Sequence, residues 1–140
     1  MRNLTDTLTF RAPARGLLEI TGEVRAWLDS HAVSQGLLTL FCRHTSASLL
    51  IQENAARAVR RDLEKFFAAL APEDPARYEH NDEGPDDMPA HLRTALTGVQ
   101  LSIPVADARL CLGTWQGIYL FEHRHGAHER EVVLHLIGDP

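Results

Sequence analysis

Leu4-Thr5-Asp6-Thr7-Leu8-Thr9-Phe10 alternates Leu4, Asp6, Leu8 and Phe10 with three threonines at a strict period of two, and Pro13 ends the run. Such a segment is a strand with one face turned to a core, so the reading of the chain starts from a sheet. Residues 17–20 form a second strand, and Thr21 stands where it caps a short helix whose Val24, Trp27, Leu28 and His31 share one face. Residues 37–42 and 48–51 read as strands joined through the polar stretch His44-Thr45-Ser46. Residues 54–70 place Val59, Leu63, Phe66, Phe67 and Leu70 on one side of an amphipathic helix, with charged residues on the rest. Asp87-Met88-Pro89 opens another helix, in which Asp87 caps, Leu92 and Leu96 face inward and Gly98 stops the run. Residues 99–105, 109–112, 118–123 and 131–137 complete about eight strands and three helices. The expected fold is α+β: a mostly antiparallel, β-sandwich-like sheet with flanking helices in one domain spanning 1–140.

A chain of 140 residues with 44% hydrophobic and 24% charged content suits one soluble globular core. The formal charge of -5 argues against nucleic-acid binding, which needs a concentrated Lys/Arg field, and Lys65 is the only lysine. No stretch has the apolar length of a signal peptide or a membrane span, and Cys42 and Cys111 sit in apolar runs as buried hydrophobes do. A cytoplasmic protein with no membrane partner is expected.

Residues 71–86 hold Pro72, Pro75 and Pro85, many carboxylates, Tyr78 and His80, and show no periodicity. An ordered loop of this length is usually functional. His44, His80 and His91 come from a strand end, a loop and a helix, so local spacing does not say whether they converge. His80 is surrounded in sequence by Glu79, Asp82, Glu83, Asp86 and Asp87; imidazole with carboxylate suits zinc or another divalent ion, a polar ligand site without metal, or structural hydrogen bonding. Thr45, Ser46 and Ser48 beside His44 invite a serine hydrolase reading, but no Gly-x-Ser-x-Gly presentation accompanies them.

Glu53 and Asn54 stand where they favour the dipole and cap of the following helix, a role that competes with catalysis. Gly113-Thr114-Trp115-Gln116-Gly117 is either a bulge carrying a packed tryptophan or a turn whose Trp115 stacks on a flat ring while Thr114 and Gln116 hydrogen-bond it. Strand alternation sends Glu122 and His123 to opposite faces, so only one of them shares the site's face. Arg124 and Arg109 are candidate phosphate partners. His125 and His128 read as surface residues and His135 as a satisfied structural histidine.

His44-Thr-Ser-Ala-Ser, Glu53-Asn54, Arg60-Arg61-Asp62-Leu63-Glu64, Tyr78-Glu79-His80, Gly84-Pro85-Asp86-Asp87-Met88-Pro89-Ala90-His91, Gly113-Thr-Trp-Gln-Gly-Ile and Glu122-His123-Arg124 together resemble the YjbQ-like family, also called the secondary thiamine-phosphate synthase family. The resemblance runs over essentially the whole chain. It implies a β-sandwich-like α+β domain assembled as a homotrimer, with sites near subunit boundaries. It also implies a weak activity that joins a hydroxymethylpyrimidine diphosphate to a thiazole phosphate. Carried over residue by residue, His44, His80 and His91 centre a site for a divalent metal (zinc or magnesium) or for phosphate. Asp87 or Glu122 would be a further ligand or the carboxylate that orients a histidine, and His44, His80, His91 and Glu122 are the expected catalytic groups. Thr45, Ser46, Ser48, Asp87, Thr114, Trp115, Gln116 and Arg124 would line the pocket for a phosphorylated small molecule. The chain departs from the family at Ala108, where a glycine usually precedes the Arg-Leu pair; if that turn needs positive φ, alanine is strained there. Two rival classes stand beside the synthase: a metal-dependent hydrolase of a phosphorylated metabolite, and a trimeric small-ligand-binding protein without catalysis.

Overall fold

The computed structural model describes residues 1–140 as eight strands and three helices. In chain order these are β1 (Arg2–Ala12), β2 (Gly16–Glu19), α1 (Thr21–Asp29), β3 (Gln35–Cys42), β4 (Ala47–Glu53), α2 (Arg57–Leu70), α3 (Asp87–Thr97), β5 (Gln100–Ala106), β6 (Arg109–Leu110), β7 (Gln116–Glu122) and β8 (His128–Asp139). A five-stranded sheet of order β1-β8-β3-β5-β6 faces a three-stranded sheet of order β2-β7-β4, and every pairing is antiparallel. The expected α+β, sandwich-like class is what the chain forms.

Period-two burial drives the layering. Leu38 and Leu40 of β3, Val132, Leu134 and Leu136 of β8 and Ile103 and Val105 of β5 point from the large sheet into one core. Leu49 of β4 and Ile118 and Leu120 of β7 meet them from the small sheet, and Val24, Trp27 and Leu28 of α1 close one flank. The alternate residues of β7, Tyr119 and Phe121, are equally buried, because α2 and α3 cover the outer face of the small sheet. β7 is therefore apolar on both faces, the pattern of a strand buried between two layers.

Several local expectations are corrected. Thr21 does not cap α1: Ile20 holds the N-cap position, and the Thr21 hydroxyl donates to Glu19 and accepts from the Ile118 amide. α2 starts at Arg57 with Ala56 at its N-cap, so Asn54 does not cap; its amide donates to the Gln116 carbonyl, and Glu53 accepts from the Ala56 N–H. α3 is rotated from the expected face. It buries Pro89, Ala90, Arg93 and Thr94, leaving Leu96 61% exposed, because Arg93 has partners inside in His123 and Glu64. Asp87 lies within its first turn and Asp86 at its N-cap, so Asp87 is free for other partners.

Candidate functional site

The segment between α2 and α3 is folded on itself. A short 3-10 turn at Pro75–Arg77 is capped by Asp74, the Tyr78 hydroxyl donates to the Pro72 carbonyl, and Asn81 donates to the carbonyls of Pro75 and Tyr78. These bonds carry His80 to the start of α3. There Asp87 and His91, four residues apart, lie on one helix face. His80 Nε2 stands 2.8 Å and His91 Nε2 3.1 Å from the same oxygen, Asp87 Oδ2, and His80 Nε2 is 2.9 Å from Glu83 Oε2.

Hydrogen bonding fixes how each group is used. The Thr45 carbonyl only accepts, so His91 Nδ1 carries the proton at 2.9 Å and turns Nε2 toward Asp87. Asp82 lies 3.3 Å from His80 Nδ1. Arg124, from the β7–β8 turn, donates to Asp87 Oδ1 at 2.9 Å, to both oxygens of Asp86 and to the Glu83 carbonyl. Burial acts to raise the pKa of Asp87, but the His80 hydrogen bond and the charges of His91 and Arg124 outweigh it and hold the carboxyl below its usual range. His80 is shifted up, chiefly by its bond to Asp87.

His80 Nε2, His91 Nε2 and Asp87 Oδ2 lie within 4.8 Å of one another. Ligand atoms around a tetrahedral zinc with bonds of about 2.0 Å stand roughly 3.3 Å apart. The spacings from Asp87 Oδ2, 2.8 and 3.1 Å, are close to that, and the second nitrogen of His91 is held by a carbonyl, as in ligating histidines generally. The donor set fits a divalent ion of the zinc type.

Of the three histidines expected as metal ligands, His80 and His91 meet at Asp87, and His44 does not join them. His44 Nε2 accepts from the Glu131 amide at 2.9 Å, which uses that lone pair and puts the ring proton on Nδ1. Burial, reinforced by Arg130, lowers its pKa. His44 and Thr45 instead line a groove of about 690 Å³ between the end of β3 and α3, whose other walls include Phe41, His91, Thr94, Ala95 and Val99.

Glu122, expected as a catalytic group, lies outside the His80–Asp87–His91 cluster. It is 0% exposed, and both oxygens are held by Arg130 at 2.6 Å, with Ser46 and the Arg124 amide adding to the knot. Ser48 is buried and does not line the groove. Arg124 is committed to Asp86 and Asp87 and is not a free phosphate partner. Arg109 is exposed at the two-stranded β5–β6 hairpin, on the sheet edge away from the small sheet. Thr114, Trp115 and Gln116 lie where β7 begins and β4 ends, seven residues of strand from Glu122, or about 20 Å. Trp115 is 63% exposed there, and Gln116 turns back to accept from the Gly113 amide.

Sequence reasoning missed Arg93 and the role of His123. Arg93 is 1% exposed; its Nε donates to His123 Nδ1 at 3.0 Å and its guanidinium reaches Glu64. With Nδ1 accepting, His123 Nε2 donates to Ser48, Ser48 to Thr97, and Thr97 to the Arg93 carbonyl, a closed ring of hydrogen bonds. Burial, then the Arg93 charge, pushes the pKa of His123 down to about 3. An arginine on a helix reads as solvent-facing, so no sequence signal marked it. Glu122 and His123 do point to opposite sides of β7, as alternation required.

These features define the class: an α+β protein of two antiparallel sheets that gathers a histidine–carboxylate cluster beside a groove at one end. The sequence matches the family described as UPF0047 protein YjbQ-like over residues 6–139. It is 48% identical over 138 residues to the UPF0047 protein sll1880 of Synechocystis, covering 99% of this chain and 94% of that one, and 44% identical to the UPF0047 protein YjbQ of Escherichia coli O157:H7, covering 95% and 96%. The conserved hypothetical protein TT1486 of Thermus thermophilus superposes with a TM-score of 0.84 at 36% identity over 94% of this chain and 99% of that one. A YbjQ-like protein of Sulfolobus solfataricus, 23% identical, shares the fold at a TM-score of 0.87 over 99% and 100% of the two chains. The chain belongs to the YjbQ-like UPF0047 family.

Proposed function

We propose that the protein holds a divalent metal ion through His80, Asp87 and His91 and acts on a phosphorylated small molecule as a metal-dependent hydrolase. The observation that carries this is the single oxygen Asp87 Oδ2 facing two imidazole nitrogens, one of whose rings is pinned by a backbone carbonyl. A divalent ion there supplies Lewis-acid polarisation of a phosphoryl oxygen and a lowered water pKa. The chain's own residues hold the ligand atoms still: Arg124 keeps Asp87 Oδ1 engaged so that Oδ2 faces the histidines, and the Thr45 carbonyl orients the His91 ring. In the reaction, a water oxygen bonds to phosphorus, the ester P–O bond breaks, and the organic group leaves as an alcohol with a proton from that water.

Thiamine-phosphate synthesis, the activity implied by the family resemblance, would use the same cluster on a leaving diphosphate. It also needs a second phosphate and a ring held beside the first. Thr114, Trp115 and Gln116, expected to hold them, stand about 20 Å along β7 in the same chain, so the geometry favours hydrolysis. A homotrimer in the cytoplasm completes the proposal: free Cys42 and Cys111 suit a reducing compartment, and no helix is long and apolar enough to cross a membrane.

The test is metal content and turnover together. The purified protein is expected to retain about one zinc per chain and to hydrolyse 4-nitrophenyl phosphate only when metal-loaded, with His91→Ala losing both. Thiamine phosphate formation is assayed in parallel. Turnover that survives a chelator and His91→Ala overturns the hydrolase, and saturable phosphate binding without product makes the protein a binding module.

A further inference from the structure

Four consecutive residues of β1, Leu8 to Arg11, line a groove of about 670 Å³ whose other walls include Leu18, Ile20 and Trp27. Neighbouring residues of a strand point to opposite faces, so a groove touched by four in a row runs along the strand's edge and not over a face. β1 is the outermost strand of the five-stranded sheet and bonds only to β8. The Arg43 amide bonds to the Glu131 carbonyl, so odd-numbered residues of β8 bond toward β3 and even-numbered ones toward β1. Even pairs with even between β1 and β8, which leaves the N–H and C=O of Thr5, Thr7, Thr9 and Arg11 turned to the open edge. Asp6 closes one of these positions by accepting from the Thr7 amide at 2.8 Å. Thr9 and Arg11, both exposed, have no such cap, and no proline or bulge interrupts the strand.

We infer that this edge takes an extended segment of a partner polypeptide as a further antiparallel strand, its backbone paired with Thr9 and Arg11 and its alternate side chains, one apolar and one basic, set into the groove. The apolar side chain is matched by Leu8, Phe10, Leu18, Ile20 and Trp27. The basic one is matched by Glu19 and Glu23, both exposed at the rim, whereas strand alternation sends the Arg11 side chain to the other face of the sheet. A second copy of β1 is a poorer occupant: a twofold pairing centred on Thr9 sets the Thr7 amide, already taken by Asp6, against Arg11. None of the lining residues belongs to the His80–Asp87–His91 cluster, so a peptide and a metal would bind independently.

The probe is the peptide acetyl-Thr-Leu-Thr-Lys-Thr-amide, titrated calorimetrically into the whole chain. Its alternation turns the leucine and lysine side chains into the groove and the backbone of the central threonine toward Thr9. Saturable one-to-one binding is expected, with slowed hydrogen exchange at the Thr9 and Arg11 amides. N-methylation of the central threonine is expected to weaken binding roughly tenfold, the size of one or two neutral hydrogen bonds, while N-methylation of the lysine, whose N–H faces away, leaves it unchanged. Replacing the lysine of the peptide by glutamate is expected to weaken it as well. Thr9→Pro removes one open N–H where an edge strand tolerates proline, and Ala26→Tyr fills the groove from the exposed side of α1. Each is expected to abolish binding with the melting temperature held; should Thr9→Pro fail to fold, Ala26→Tyr and the methylated peptides decide. No saturable binding, or binding indifferent to which amide is methylated, overturns the inference. Self-association of the wild type that Thr9→Pro abolishes also overturns it, because a second copy then occupies the edge.

Discussion

Ala108 stands where the family resemblance leads to an expectation of glycine, and the fold shows what the alanine meets there. Asp107 and Ala108 form the two-residue turn between β5 and β6, with φ of 51° and 59°. A left-handed conformation costs an L-residue with a Cβ roughly 1–2 kcal/mol, and aspartate tolerates it better than alanine. Ala108→Gly relieves that strain and returns part of it as unfolded-state entropy, so a net gain of about 1 kcal/mol in urea unfolding is expected. A loss of stability would mean the turn relaxes around alanine. His123 gives a second prediction at this scale. Its folded pKa is about 3, below the ordinary value of 6.5, so the unfolded chain binds the extra proton as pH falls below 6.5. The stability from neutral His123 is complete above pH 6.5 and is lost on acidification at about 1.4 kcal/mol per pH unit toward pH 3. His44, also lowered, contributes with the same sign. His80 is raised, so its contribution is constant below 6.5 and fades above it. Between pH 6 and 4.5 the unfolding free energy of His123→Gln is expected to fall less steeply than that of the wild type, by about one proton. Parallel slopes would show that the ring around Arg93 opens to take the proton.

At the scale of elements, β3 and β8 are held at their ends by a pair of glycines with no room for a side chain. Gly36 and Gly138 are directly opposed, and a Cβ on either would lie 2.2 Å from a carbonyl of the other strand. Backbone cannot give way as a flexible side chain can, so Gly138→Ala is expected to cost about 2–3 kcal/mol, read as a lower melting temperature. An unchanged melting point would show that the strands separate there without penalty. The strands were legible in the sequence because period-two burial is a local pattern: β1 was evident from its Leu/Thr alternation, and β7 from a run that is apolar on both faces. The helix faces were less so. α3 turns Arg93 inward and Leu96 outward because the partners of Arg93 and Thr97, namely His123, Glu64 and Ser48, come from other elements, and no window of sequence contains them. The same limit explains the site. His80, His91 and Asp87 were candidates whose convergence no local spacing announced, and the separation of His44 from them depends on an amide 87 residues away.

For the whole molecule, the outer face of the large sheet is the feature a single chain leaves unexplained. Cross-strand partners there run Asn3, Ile137, Leu37 and Pro104, then Thr5, His135, Thr39 and Ser102, then Thr7, Val133, Phe41 and Gln100. None of these twelve is Asp, Glu, Lys or Arg, the charged residues of the face (Arg11, Glu129, Glu131 and Asp139) standing at its two ends, and Leu37, Phe41 and Ile137 are all exposed. An uncharged, partly apolar patch four strands wide at the middle of a sheet face is what subunit contact selects and what a solvated sheet face avoids. The proposed trimer is therefore expected to pack through this face. Light scattering should give three times the 15.6 kDa chain for the wild type, and Ile137→Asp or Leu37→Asp should give a single chain by burying an unpaired carboxylate. Both substitutions lie at the end of the face away from Phe41 and the groove, and His80, Asp87 and His91 all come from one chain. The dissociated variants should thus keep their zinc. A wild type that runs as one chain at micromolar concentration would remove the trimer and leave the metal site standing; zinc lost together with the trimer would mean that a neighbouring copy holds the His80 loop in place.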